Sequence, residues 1–125
     1  MPSPAAITIY VFGLSALLLG TMSLLNPESN LSSLELPPEA LSAVKANSLA
    51  AIAMGIYYTL AAAQENRGFF MASVPMRCLT AAVFWNSGGM WRHAAVWEGG
   101  GAALTAVALA FDGLKAKGKQ SGKGE

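Results

Sequence analysis

The sequence predicts an all-α protein, in which a bundle of four transmembrane helices is followed by a lysine-rich tail that we expect to be disordered. Of its 125 residues, 54% are hydrophobic and 12% are charged, whereas about 25% of an average soluble domain is charged. The apolar residues fall into four runs, each close to the ~20 residues that a helix needs to cross the bilayer. We therefore expect one membrane domain over residues 1–112 and a flexible basic tail over residues 113–125.

The first helix is expected over residues 5–25, because this run contains no charged residue. A secretory signal peptide is the main alternative, but no Lys or Arg precedes the run and no small-residue cleavage pattern follows it. Asn26-Pro27 should end the helix, since proline cannot continue its hydrogen bonding. Small residues on this helix would allow close packing with a neighbour: Gly13, Ser15, Ala16 and Gly20.

The segment from Asn26 to Ala43 should be a polar loop, extended in part, that carries three glutamates. Within it, Pro38 is a suitable first residue for a helical turn leading into the next span. The second helix is expected over residues 45–63. It also carries small residues for close packing, namely Ala50, Ala51, Ala53 and Gly55, and such faces could support a homo-oligomer.

The third and fourth helices are expected over residues 69–85 and 94–111. The short polar turn at residues 64–68 should make helices two and three antiparallel neighbours. Pro75 should kink helix three, because it removes one backbone hydrogen bond. Trp85, Trp91 and Trp97 place the turn before helix four at a membrane interface. Three consecutive glycines at residues 99–101 indicate a very close helix contact or a local distortion.

The basic residues predict the orientation in the membrane. An even number of spans puts both termini on one side, where Arg67 and the four lysines of the tail outnumber Lys45 and Arg92 on the other side. The positive-inside rule then predicts cytosolic termini. We expect a multi-pass protein of the endoplasmic reticulum or another endomembrane.

Arg77 and Glu98 are the charges that the bilayer should exclude most strongly, so they mark the candidate site. From the rise of about 1.5 Å per residue, both should lie in the outer half of the bundle and within reach of each other. Asn47 and Asn86 should share that layer, with Tyr57 below. Glu98 would act as general acid or base, Arg77 would stabilise negative charge, and the asparagines would orient the substrate. The alternative is an ion pair that only joins two helices.

Three further residues are candidates for this site. His93 and Glu28 could close it from the loops, although His93 is more simply interpreted as an exposed turn residue. Cys78 is better explained as a small packing residue than as a nucleophile. With one cysteine and one histidine in the chain, no metal or other cofactor is expected. The lysines are too localised at one end to indicate nucleic acid as a partner.

Several motifs are similar to those of the small four-helix, DoxX-like integral-membrane proteins of unknown function. The similar segments are LLNP, LPPEAL, ANSLAAIAMGIYYTLAA, SVPMRCLTAAVF and VWEGGGA, within residues 7–111. The resemblance implies the four-helix fold. Fungal proteins of this kind accompany polyketide and terpenoid biosynthesis, and the chain also resembles the small hydrolases of aurovertin- and citreoviridin-type pathways, which open polyene epoxides.

This resemblance implies a small membrane enzyme that opens, hydrolyses or cyclises a lipophilic epoxide. Ring opening needs a base on one side and a hydrogen-bond donor on the other. The alternative is a non-catalytic scaffold, or a carrier of a lipophilic ligand for other pathway enzymes. The expected partners are therefore the bilayer, a lipophilic small molecule and other enzymes of the pathway.

Overall fold

The chain forms four long helices and one short helix in a computed structural model that describes residues 1–124. The four long helices are each long and apolar enough to span a membrane, which confirms the all-α, four-span prediction. A 3-10 turn at Pro38–Ala40 precedes the third helix, where the sequence predicts a helical turn. The helices are α1 (Pro4–Leu25), α2 (Pro27–Ser33), α3 (Leu41–Ala63), α4 (Arg67–Ser87) and α5 (Trp91–Ser121).

Asn26 and Pro27 separate α1 from α2. The backbone N–H of Asn26 closes the last turn of α1 on Met22, and its side chain accepts a hydrogen bond from Ser29 N–H at the start of α2. Pro27 occupies the first position of α2, where its missing N–H costs nothing. The end of α1 is therefore confirmed, but the following segment is more helical than expected.

α1 and α3 pack closely and antiparallel through glycines. A Cβ atom added to Gly55 would lie 2.6 Å from the backbone nitrogen of Leu17, and one added to Gly13 would lie 2.9 Å from the Thr59 hydroxyl. A Cβ atom added to Gly20 would likewise lie 2.9 Å from the Cβ atom of Ala51. Small residues let two backbones approach where there is no hydrophobic driving force between helices in lipid. The predicted small-residue faces of these helices thus face each other.

α4 packs against α5, and α1 connects the two helix pairs by also contacting α5. In the described residues, α3 and α4 are not close backbone neighbours, contrary to the expectation from their short connection. They meet through side chains, with the rings of Tyr58 and Phe69 4.9 Å apart. The physical reason is that the glycines draw α3 onto α1, leaving larger side chains to fill the space toward α4.

Polar contacts join the helix ends on the side that carries the N-terminus, here called the terminal side. Ser3 donates from its backbone N–H and its hydroxyl to the Glu65 carboxylate, both at 2.7 Å. The Ser3 hydroxyl lowers the pKa of Glu65 below its usual range, and the Ser3 N–H acts in the same direction. The Asp112 carboxylate accepts from Ala5 N–H at 3.4 Å and lies 4.0 Å from the Arg67 guanidinium. The four long helices therefore run up and down alternately.

α5 is longer than the sequence predicts. It continues to Ser121, so residues 113–121 are helical rather than disordered, and the predicted end at Phe111 is wrong. Ala, Leu, Lys and Gln are good helix formers, and here they extend the helix despite two glycines. The 31-residue helix is about 46 Å long against ~30 Å of hydrocarbon. Its exposed basic end consequently reaches beyond the apolar layer.

A candidate ligand site around Arg77

Arg77 of α4 and Glu98 of α5 form a buried ion pair. Their exposed fractions are 2% and 6%, and the Arg77 Nε donates to Glu98 Oε2 at 3.4 Å. This contact confirms that the two charged residues lie within reach of each other. A length of 3.4 Å is long for a charge-assisted hydrogen bond, which is usually 2.7–2.9 Å. The pair therefore leaves part of the guanidinium available to other groups.

Two threonines extend the polar cluster to α1. Arg77 Nη1 lies 3.5 Å from the Thr105 hydroxyl, at the limit of a hydrogen bond. The hydroxyls of Thr105 and Thr8 share a hydrogen bond of 2.9 Å, and Thr105 also donates to the Gly101 carbonyl at 3.0 Å. Three helices thus contribute polar groups to a single buried cluster.

An aromatic ring covers one face of the guanidinium. Arg77 Cζ lies 3.6 Å from the centre of the Phe12 ring, in the range of a cation–π contact. The Phe12 ring stacks on Trp97 at 4.3 Å and contacts Tyr58 at 5.0 Å between ring centres. Phe12 therefore shields that face of the guanidinium from other polar groups, and Trp97 and Tyr58 hold the Phe12 ring in position.

One nitrogen of Arg77 has no hydrogen-bond partner in the described part of the chain. Within residues 1–124, Nη2 is buried and makes no hydrogen bond. It lies against Gly101, where an added Cβ atom would be only 1.8 Å away. Gly99 would make an ordinary contact of 3.4 Å with Ala81, and Gly100 has open space. The lack of a side chain at Gly101 therefore leaves room for the guanidinium. The three glycines do not interrupt α5.

A cleft of about 370 Å³ between α1 and α5 reaches this guanidinium. Thr8 and Arg77 contribute polar side chains, Trp97 contributes an indole ring, and the remaining lining is apolar. Val11, Val96 and Leu104 form part of the lining and are exposed on the surface that would face lipid. The cleft is thus an apolar slot with a hydrogen-bond donor inside, which is the usual character of a small-molecule site.

The other predicted site residues lie elsewhere. Asn47, Asn86 and Tyr57 are exposed, and none of them hydrogen bonds to Arg77 or Glu98 in the described chain. Asn47 and the exposed His93 instead line a second cleft, of about 400 Å³. Tyr58, not Tyr57, faces the core. Of the five residues predicted to form the site, the structure therefore brings only Arg77 and Glu98 together. An orienting role for the asparagines stays a prediction.

Thr8, Phe12 and Thr105 belong to the site although the sequence did not predict them there. A signal for Thr105 was present, because it follows Glu98 by seven residues and so lies on the same helical face. Gly101, three residues after Glu98, shares that face. The contribution of Phe12 depends on how α1 packs, which no local pattern specifies.

No family model, curated protein sequence or solved structure matches the chain. The geometry of the site is therefore the basis for its functional interpretation.

Proposed function

We propose that the protein binds a lipophilic molecule from the bilayer in the cleft between α1 and α5, with an oxygen atom of that molecule on Arg77 Nη2. The buried, unpartnered Nη2 beside the cleft is the observation that carries this proposal. A buried donor without an acceptor is costly, and a hydrogen bond from a charged group contributes about 1.5–3 kcal/mol. A ligand oxygen that accepts a hydrogen bond from Nη2 would remove the cost of the buried, unpaired donor and would add the energy of that hydrogen bond.

The ion pair favours an uncharged ligand. Glu98 already balances the charge of Arg77 at 3.4 Å, and an additional unpaired charge buried in this region would be costly. The class of ligand that fits the cleft is therefore a lipophilic molecule with an ether, carbonyl, hydroxyl or epoxide oxygen. The exposed apolar rim supports access from the lipid side, where such molecules partition.

Opening of an epoxide is a second candidate function, favoured by the Glu98 carboxylate, which does not line the cleft itself but is paired with Arg77, which does. Water would attack one ring carbon while the carbon–oxygen bond breaks and its electron pair passes to the ring oxygen, which Arg77 stabilises. Glu98 would take a proton from the water and return it to the ring oxygen, giving a diol. With an internal hydroxyl as nucleophile, the same steps would give a cyclic ether, as expected for a polyketide or terpenoid epoxide.

The proposal extends to the membrane in which the protein lies and to its orientation there. We infer cytosolic termini in an endomembrane, because Arg67 and the lysines of α5 lie on the terminal side, consistent with the positive-inside rule. Enzymes that supply or consume the lipophilic molecule would be its functional partners. A scaffold whose ion pair serves only to join helices is the alternative, and the unpartnered Nη2 argues against it.

The test uses the purified protein in lipid nanodiscs with tritiated methyl oleate epoxide as probe, and empty nanodiscs to subtract partition into lipid. Arg77→Lys keeps a positive charge beside Glu98 but removes Nη2, so we expect at least tenfold weaker binding, equivalent to about 1.4 kcal/mol. Glu98→Gln should still bind the probe and should form no diol. Equal binding by wild type and Arg77→Lys would contradict the binding proposal. Full turnover by Glu98→Gln would exclude the catalytic role.

A further inference from the structure

A second cleft, here called the polar cleft, lies on the side opposite the termini, where α1, α2, α3 and α5 meet. Its volume is about 400 Å³. Hydrogen-bonding side chains from all four helices line it: Ser23, Asn30, Asn47, Ser48, Trp91, His93 and Trp97. This lining is more polar than that of the Arg77 cleft, where the hydrogen-bonding side chains are those of Thr8, Arg77 and Trp97.

Part of the polar cleft is held by internal hydrogen bonds. The hydroxyls of Ser23 and Ser48 are 2.6 Å apart, and the side-chain amide of Asn30 donates to Ser23. Ser48 is 1% exposed and also donates to the Val44 carbonyl at 2.8 Å. α2 supplies Asn30, so this short helix completes one wall. The base of the cleft is consequently preorganised before any ligand binds.

Other lining groups have free hydrogen-bonding capacity. Across residues 1–124, the side chains of Asn47 and His93 make no hydrogen bond within the protein. Amides, hydroxyls and imidazole can donate to and accept from the hydroxyl groups of a ligand. No Lys, Arg, Asp or Glu of the described chain lines the cleft, whereas phosphate groups are usually bound by Arg or Lys. The lining therefore fits an uncharged, hydroxylated group.

Trp97 lines both clefts. Along α1, Phe12 lines the Arg77 cleft and Leu19 lines the polar cleft, seven residues further on. At a rise of about 1.5 Å per residue, the two sites are about 10 Å apart along the helix. One extended molecule with a polar head and an oxygen within its chain can span this distance.

We propose that the polar cleft is a subsite for the uncharged, hydroxylated head group of an amphipathic molecule whose chain oxygen lies on Arg77. This inference rests on the proposed function for the position of the chain oxygen, but the head-group subsite has its own residues. Asn47 and His93 bind the hydroxyls, and the chain passes Trp97 into the apolar cleft.

Two tritiated probes with the same epoxidised chain test the subsite in nanodiscs. Monoolein epoxide carries two head-group hydroxyls, and methyl oleate epoxide carries none. Wild type should bind the monoolein probe about tenfold more tightly, because two additional neutral hydrogen bonds form. The double variant Asn47→Leu/His93→Leu should bind both probes with the same affinity. Thr21→Leu removes an exposed hydroxyl elsewhere on α1 and should keep the tenfold preference.

The two proposals fail in different ways. Equal affinity of wild type for the two probes, or an undiminished preference in the double variant, would overturn the subsite. Loss of affinity for both probes in Arg77→Lys, with the preference retained, would support both proposals. Unchanged affinity in Arg77→Lys would overturn the Arg77 site, while a preference that depends on Asn47 and His93 would still support the subsite. Absence of binding by both probes would overturn both.

Discussion

The two faces of α1 differ in the way they join the bundle. Toward α3, Gly13 and Gly20 bring the backbones together without leaving room for a side chain. Toward α4 and α5, Thr8 and Phe12 contact Thr105, Arg77 and Trp97, and a cleft of about 370 Å³ remains. Close backbone packing on one face can thus stabilise the bundle while the other face holds a buried charge and an opening.

The closely packed face should be the most sensitive to a single added methyl group. Gly55→Ala would place its Cβ atom 2.6 Å from the Leu17 nitrogen, and a backbone atom cannot rotate away. Overpacking of this kind costs about 1–3 kcal/mol or more. We expect a loss of that size in the free energy of unfolding, measured by denaturation with sodium dodecyl sulfate in mixed micelles.

Gly113→Ala is the matched control for this change. Its Cβ atom would meet nothing within 4 Å, so replacing glycine in a helix should gain about 0.5–1 kcal/mol. Equal effects of the two substitutions would show that α1 and α3 are not held by close contact. The contrast between the two faces of α1 would then be lost.

On the open face, Gly101→Ala should damage the site more than the fold. Its Cβ atom would be 1.8 Å from Arg77 Nη2, but this is the end of a flexible side chain and can move. We expect methyl oleate epoxide to bind at least tenfold more weakly, because the displaced guanidinium loses its position beside the cleft. Gly99→Ala makes only an ordinary 3.4 Å contact and should bind as wild type does. The same affinity in both variants would contradict a binding role for Nη2.

The parts of the structure that depend on local pattern were predictable. Four apolar runs and the Asn26-Pro27 break indicated the spans, and the charges of Arg77 and Glu98 indicated the core of the site. The positions of Asn47 and Tyr57 were harder, since a small rotation of a helix decides whether a residue faces lipid or its neighbours. Phe12 contacts Arg77 only because α1 packs against the α4–α5 pair as well as against α3. Such contacts depend on packing between distant segments and have no local signature.

The smallest expected effect is on the terminal side, where Ser3 links the start of α1 to Glu65, just beyond the end of α3. These hydrogen bonds lower the pKa of Glu65 in the folded state. The ionised carboxylate therefore contributes stability above its unfolded pKa, and this contribution is lost as the pH falls through the lowered folded pKa. Glu65→Gln should be slightly less stable than wild type at neutral pH, and the difference should vanish in acid.

Denaturation in mixed micelles at several pH values would measure this dependence. Glu39→Gln is the control, because Glu39 is exposed and its side chain makes no hydrogen bond in the described residues, and such surface changes usually have little effect. A stability difference for Glu65→Gln that stays constant from neutral to acidic pH would show that the carboxylate charge does not link α1 to α3. The close packing of that helix pair would then depend on its glycines, without help from the helix ends.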